Sequence, residues 1–287
     1  MLLASALWGA SGSLTKILRV HGFSITDILS WRYLGGLLTI LAVSRVLRRP
    51  ALSLSGIRVG PALMMALSIF ATNAAFTWSN FFTTVANAIA LSFTAPVFAA
   101  LLGWLVLGEG VRRSHQAAVG LGVAGVCVLA LRTPALSSGG SAPLSPNIPL
   151  GNGLALLSGL LFGWYFVLAR RSAQGHGDIL AKTGWQFLIL ACLLWPLMLP
   201  TLLKRVAWSG WLYLALYSTA CTAAPILLLN LSTLYLTAHE ASLLSLSEIP
   251  FSIVFGMVAV GEFPSRGTWA GVALILVAGL LACLGKR

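Results

Sequence analysis

The sequence predicts an all-α membrane protein: ten transmembrane helices arranged as two inverted five-helix repeats around a central cavity. Three observations lead there. Of 287 residues, 58% are hydrophobic and only 8% charged, whereas about a quarter of the residues in a soluble domain carry charge. So few charges cannot cover a soluble surface, and the mean hydropathy is +0.93. The apolar residues fall into ten runs, each close to the roughly 20 residues a bilayer-crossing helix needs. Features of the first half also return in the second at a nearly constant offset.

The first five runs are expected near 2–20, 26–44, 58–79, 84–107 and 115–132. The second five are expected near 150–170, 182–201, 208–234, 238–260 and 267–284. Between them "RTPALSSGGSAPLSPNIP" is rich in Ser, Pro and Gly, the composition of a flexible linker. The expected organisation is therefore a first repeat over 1–132, a linker over 133–149 and a second repeat over 150–287.

The basic residues orient the chain. With a cytoplasmic N-terminus, Arg45, Arg48, Arg49, Arg58, Arg112, Arg113, Arg170, Arg171, Lys182, Lys286 and Arg287 fall on the inner side. Arg19, Arg132, Lys204, Arg205 and Arg266 fall outside. That excess places both termini in the cytoplasm. The net charge of +12 sits between apolar segments and forms no stripe, so no nucleic-acid partner is expected. Cys127, Cys192, Cys221 and Cys283 lie inside apolar runs without CxxC or His-Cys spacing, which predicts neither a metal site nor a disulfide framework. No signal peptide is expected, because no small-residue cleavage site precedes a soluble domain.

Two stretches share an outline. "ALSFTAPVFAALLGWLVLGEG" (Ala90 to Gly110) and "SLSEIPFSIVFGMVAVGEF" (Ser245 to Phe263) each place small polar residues before a proline, then an apolar run, then Gly-Glu. A shift of 154 positions brings Trp8-Gly9 onto Phe162-Gly163, Lys16 onto Arg170 and Trp31-Arg32 onto Trp185-Gln186. The same shift brings Phe81 onto Tyr235, Pro96 onto Pro250 and Gly125 onto Gly279, while Glu109 meets Glu262 after a slip of one. Five crossings turn the second copy upside down. Inverted repeats of this kind suit alternating access around a site near the membrane midplane.

The leading "LWG" (Leu7 to Gly9), the "WRY" of the second run (Trp31 to Tyr33) and "ANAIALSFTAPVFAALLGWLVLGE" (Ala86 to Glu109) resemble the drug/metabolite transporter superfamily, in its EamA-type exporter branch. Within that branch the chain resembles the YddG-like aromatic amino acid exporters. The resemblance extends over essentially the whole chain. It implies a ten-helix basket in a bacterial cytoplasmic (inner) membrane, with a cavity lined mainly by spans 1, 3, 4, 6, 8 and 9. Two departures stand out: Gln186 replaces the arginine of the first copy, and Glu248 falls opposite Thr94.

Against that frame each candidate residue has a functional and a structural meaning. Pro96 and Pro250 should kink or open their helices. That either sets Ser92, Thr94, Ser245 and Ser247 on the cavity wall, with bending during gating, or leaves static kinks with hydroxyls bonded to their own helix. Glu248, acidic within a span, would bind a substrate ammonium, couple to a proton or pair with a basic side chain. A protonated glutamate bonded to a neighbouring helix is the structural version. Arg32 is expected to anchor helices, with a substrate carboxylate as the alternative partner. Glu109 and Glu262, just after a glycine, are expected to cap hairpin turns. Trp8, Trp78, Trp164 and Tyr165 either stack on a flat or cationic substrate or pack the core. Asn73 and Asn230 need partners within spans 3 and 8.

The function expected is secondary transport: export of small amphipathic metabolites, amino acids with aromatic and other apolar side chains first. Lipophilic cations are the alternative and phosphorylated metabolites a weaker one, since only Lys16, Arg32 and Arg170 offer positive charge within spans. An enzyme is not expected: His21, His115, His176 and His239 are scattered, and no Walker motif occurs. No cofactor is implied. The partners expected are a small-molecule substrate and the bilayer, with the protein a monomer.

Overall fold

The computed structural model describes residues 1–53, 59–82, 88, 91–110, 113–132, 147–175, 177–260 and 266–284. Of the described residues 86% are helical, and no strand occurs among them. Thirteen α-helices are described, in order: α1 Leu2–Gly9, α2 Ser11–Val20, α3 Ile25–Leu47, α4 Val59–Phe82, α5 Ala95–Leu107, α6 Arg113–Arg132, α7 Ile148–Gln174, α8 Ile179–Leu202, α9 Trp208–Ser218, α10 Ala224–Ser232, α11 Ala238–Ser245, α12 Glu248–Val260 and α13 Arg266–Leu284. A π-helical turn, Thr219–Ala223, joins α9 to α10.

Five stretches are long and apolar enough to cross a membrane: Val59–Ser79, Ile148–Gln174, Ile179–Leu202, Trp208–Ser232 and Ala238–Val258. They fall on the third, sixth, seventh, eighth and ninth of the ten expected runs. The first run is broken at Ala10, between α1 and α2. The second, α3, carries Asp27, Arg32 and Arg45. The apolar helix α5 and apolar parts of α6 and α13 are shorter. The inter-repeat segment 133–146 and Glu262 lie outside the described residues.

Local chemistry sets the boundaries. Ser24 and Asp27 form a capping box at the start of α3, the serine hydroxyl accepting from the Asp27 N–H at 3.2 Å and the carboxylate from the Ser24 N–H at 2.7 Å. Thr237 and Glu240 repeat the arrangement at α11. Gly108, at φ 67°, turns left-handed and ends α5, bringing the Glu109 N–H to the Gly103 carbonyl at 3.2 Å. Each proline of the paired motif lies in the first turn of a restarted helix. Pro96 is the second residue of α5, after a break at Thr94, and Pro250 the third of α12, after a break at Leu246–Ser247. There the missing N–H and the fixed φ cost little.

The chain forms two compact units, each drawing on both sequence halves. The first holds Met1–Leu67, Ser172–Leu234 and Glu248–Phe263; the second holds Ser68–Arg171, Tyr235–Ser247 and Pro264–Arg287.

In the first unit α3 packs along α8, with Gly36 facing the Phe187 ring so closely that a Cβ there would lie 2.5 Å from it. At the N-terminal end of α3, buried Asp27 accepts from the Thr201 hydroxyl at 2.7 Å and pairs with Lys204, tying α3 to the end of α8. Helix α1 runs along α12, and Gly9 makes room for Phe251 and Ser252. A cluster of Leu18, Phe23, Ile28, Leu214, Tyr217 and Cys221 fills the space among α2, α3, α9 and the π turn.

In the second unit α6 packs along α13, where Gly125 faces Gly271 and Ile275. Helix α7 lies against α4 through two hydroxyl bridges, Ser68 to the Leu161 carbonyl at 2.9 Å and Ser158 to the Thr72 carbonyl at 3.0 Å. Its glycines meet the broken fourth span: Gly159 faces Leu91, Ser92 and Thr94, and Gly163 faces Ala95, Phe98 and Ala99. Small residues at such positions let helix backbones approach where lipid offers no hydrophobic drive for association.

Candidate functional site

In the first unit α3 presents Arg32, Gly35 and Thr39, spaced to lie on one face of the helix. All three meet the junction of α9 and the π turn. A Cβ on Gly35 would lie 2.5 Å from that of Ser218, so only glycine admits the approach. Thr39 and Thr219 share a hydrogen bond at 3.0 Å, and the Arg32 Nε–H donates to Thr222 Oγ1 at 3.1 Å. The turn is π-helical for a local reason. Pro225, in the first turn of α10, supplies no N–H for the carbonyl four residues back, and a widened turn accommodates the loss. Thr222, accepting from Arg32, donates in turn to the Tyr217 carbonyl five residues back, at 3.4 Å.

Arg32 is only 7% exposed. Its guanidinium carbon lies 5.6 Å from the Tyr33 ring centroid and 5.3 Å from that of Tyr217, cation–π contacts with two rings. Tyr33 itself is fully buried, with the Phe187 ring 6.2 Å away. Glu248, half-buried in the first turn of α12, interacts electrostatically with Arg32, and both interact with the buried thiol of Cys221. A carboxylate at a helix N-terminus is stabilised by the helix dipole. The first unit thus gathers a guanidinium, a carboxylate, two tyrosine rings and a thiol around a π turn. Charge of both signs within a span marks a functional site unless the charges are consumed by each other.

The first unit also holds Trp8, buried in the last turn of α1, and Asn230, buried on α10 and donating to Thr183 Oγ1 at 3.0 Å. Pro250 opens α12 two residues beyond Glu248.

The other predicted residues belong to the second unit. The Ser92 hydroxyl donates across to the Ala155 carbonyl at 3.2 Å, and that of Thr94 donates to Leu91 in its own turn at 2.6 Å. Ser245 and Ser247 likewise bond back to the carbonyls of Ser242 and Leu244, both at 2.6 Å. Asn73 donates to the Ile69 carbonyl of its own helix at 2.8 Å. Trp78 is 59% exposed, Trp164 is partly buried and Tyr165 fully buried. Pro96 restarts the fourth span against Gly163. Glu109 accepts from Arg170 Nε at 2.9 Å through one oxygen and from the Ala238 N–H, the first of α11, at 3.0 Å through the other. One carboxylate thus joins the ends of α5 and α7 to the start of α11. Among the described residues no group of three or more His, Cys, Asp or Glu comes together.

Four residues around Arg32 were not singled out from sequence: Tyr33, Tyr217, Cys221 and Thr222. Tyr33 lies in the "WRY" segment, and Pro225 inside an otherwise apolar run was the available signal for the π turn. Nothing in the spacing announces which helix that turn faces.

Comparison with known proteins agrees on the architecture. The model of the EamA-like transporter family matches residues 1–131 and again 149–284. Twenty-nine chains of solved structures match the fold. One, a crystal structure, superposes with a TM-score of 0.76 at 18% identity, over 99% of this chain and 95% of its own. No curated protein matches in sequence.

Proposed function

This chain belongs to the EamA-like transporter family, and from that premise we propose that it exports small amphipathic metabolites, amino acids with aromatic and other apolar side chains first, by alternating access. The observation that carries the substrate class is the placement of buried Arg32 and half-buried Glu248 in one unit, in each other's field and beside two tyrosines. A zwitterion with an apolar side chain matches a site of both signs and aromatic walls. Lipophilic cations would use Glu248 and the rings, but a buried guanidinium in the same field opposes them. Phosphorylated metabolites would want several cations converging, and among the described side chains Arg32 is the cation of this cluster.

Alternating access is supported by the internal symmetry of the contacts. Exchanging the two sequence halves maps the α1–α12 junction at Gly9 onto the α7–α5 junction at Gly163, and the α3–α8 and α6–α13 pairs each onto themselves. The ten-span count, the inverted relation of the halves, the cytoplasmic termini, the bacterial inner membrane and a monomeric state are parts of the same proposal. An uptake experiment tests it. Labelled phenylalanine, tryptophan, leucine and threonine are offered to proteoliposomes, with and without a pH gradient, against protein-free liposomes. Saturable uptake, competed by unlabelled substrate, is the expected result. Folded protein that takes up none of them while accumulating a lipophilic cation would replace the reading.

A further inference from the structure

Arg32 is held without using the part of it that recognises anions. Its Nε–H is taken by Thr222, and Tyr33 and Tyr217 flank the guanidinium. Among the described residues no acceptor takes the N–H groups of its two terminal nitrogens, and none donates to the Glu248 carboxylate. The two charges interact through space without a direct ion pair. Among the described residues the fully buried side-chain nitrogens and oxygens without a partner are Trp31 Nε1 and Ser242 Oγ, so the Arg32 fork, in a side chain only 7% exposed, keeps access for a ligand to pair it. The internal repeat argues that the charges are not needed to build the fold. Gln186, also buried, stands at the position equivalent to Arg32, and Thr94 at that of Glu248. Each copy thus builds from a neutral side chain the span that is charged in the other.

Resting on the amino-acid reading above, we propose that Arg32 is the specificity-determining residue of the transporter, its fork taking the substrate carboxylate through both oxygens while Glu248 takes the ammonium. Thr222 and the two tyrosines are positioning residues: they fix the plane of the guanidinium so that its paired N–H groups face a carboxylate. Planar two-point recognition of this kind is what arginine supplies and lysine does not. The π turn has a purpose in this arrangement, because it sets Thr222 against the same guanidinium that Tyr217, at the end of α9, contacts.

The test uses full-length protein in proteoliposomes and three ligands of one shape: phenylalanine, phenethylamine without the carboxylate, and 3-phenylpropionate without the amine. Wild type should take up labelled phenylalanine and be competed at least roughly tenfold more weakly by either analogue, since a site built around polar groups rejects ligands that leave them unpaired. In Arg32→Gln, phenylalanine uptake should fall at least about tenfold, and the preference over phenethylamine should shrink to about twofold. Glu248→Gln should lose the preference over 3-phenylpropionate and keep that over phenethylamine. If Arg32→Gln does not purify as folded protein, Arg32→Lys decides, since it keeps the charge and loses the fork. Its KM should rise roughly tenfold with kcat within about twofold, the mark of lost ligand binding. A folded Arg32 variant that transports phenylalanine with wild-type selectivity overturns the assignment and leaves the amino-acid reading standing. Wild type that ignores phenylalanine overturns both.

Discussion

A Cβ placed on Gly9 would lie 2.7 Å from the Cβ of Phe251 and 2.9 Å from the Ser252 N; one placed on Gly163 would lie 2.7 Å from the Cβ of Phe98 and 2.9 Å from the Ala99 N. The first junction belongs to the first compact unit and the second to the other, yet the two are the same contact made twice. Around these matched junctions the chemistry differs. The first unit sets a guanidinium and a carboxylate near a π turn; the second surrounds its broken span with serine and threonine hydroxyls bonded to backbone carbonyls and with glycine. Its charged group, Glu109 with Arg170, is consumed in joining three helix ends. The contrast teaches that the two units share one small-residue junction, while the first alone brings together a guanidinium from one sequence half and a carboxylate from the other among the described residues.

The comparison can be broken at several points. The largest expected effect on function is at Glu248, where Glu248→Gln should cut phenylalanine transport at least about tenfold with the protein still folded, because an ionised partner is worth roughly 1.5–3 kcal/mol to a hydrogen bond. Installing a glutamate at the equivalent place, Thr94→Glu, should not rescue it. Rescue in the double variant would mean that the two copies are interchangeable.

Next comes the ion pair of the second unit. Its side chains are only 19% and 10% exposed, so Glu109→Gln should lower stability by about 3 kcal/mol by taking from Arg170 its charged partner. The double change Glu109→Met with Arg170→Met should cost less than the single one, read by thermal unfolding in detergent. A single variant as stable as wild type would remove the claim that this carboxylate holds three helix ends together.

The two glycines offer a matched pair. Gly9→Val and Gly163→Val should each destabilise by about 1–3 kcal/mol, because the added Cβ meets backbone that cannot move aside. Similar losses would sharpen the equivalence of the junctions; a loss at one alone would break it. The smallest effect is expected at the hydroxyl bridge from α7 to α4, where Ser158→Ala should cost only about 0.6 kcal/mol, typical of interhelical hydrogen bonds in membranes.

Much of this architecture is legible along the chain. Apolar runs of spanning length locate the helices. Ser24 with Asp27 and Thr237 with Glu240 mark helix starts, Gly108 marks an end, and Pro96 and Pro250 mark where two spans restart. These features act over one or two turns, so local sequence contains all their causes. The candidate site was legible only in part. Glu248 stands out because a carboxylate in an apolar run has no cheap local solution. Arg32 reads equally well as an anchor, since a guanidinium near a helix end can reach the interface.

Composition and repetition by themselves determined that the chain is helical, apolar enough for a bilayer and built twice from one pattern. The tertiary structure alone decided that Arg32 meets Thr222 and Tyr217, that Glu248 shares its field, and that Glu109 caps α11 while pairing with Arg170. Helices apolar around most of their circumference carry no stripe that names a partner face. Which faces meet is settled by where glycines such as Gly35 and Gly36 let backbones close, and by a π turn that rotates the residues after it. Those are properties of pairs of helices, and no single helix encodes them.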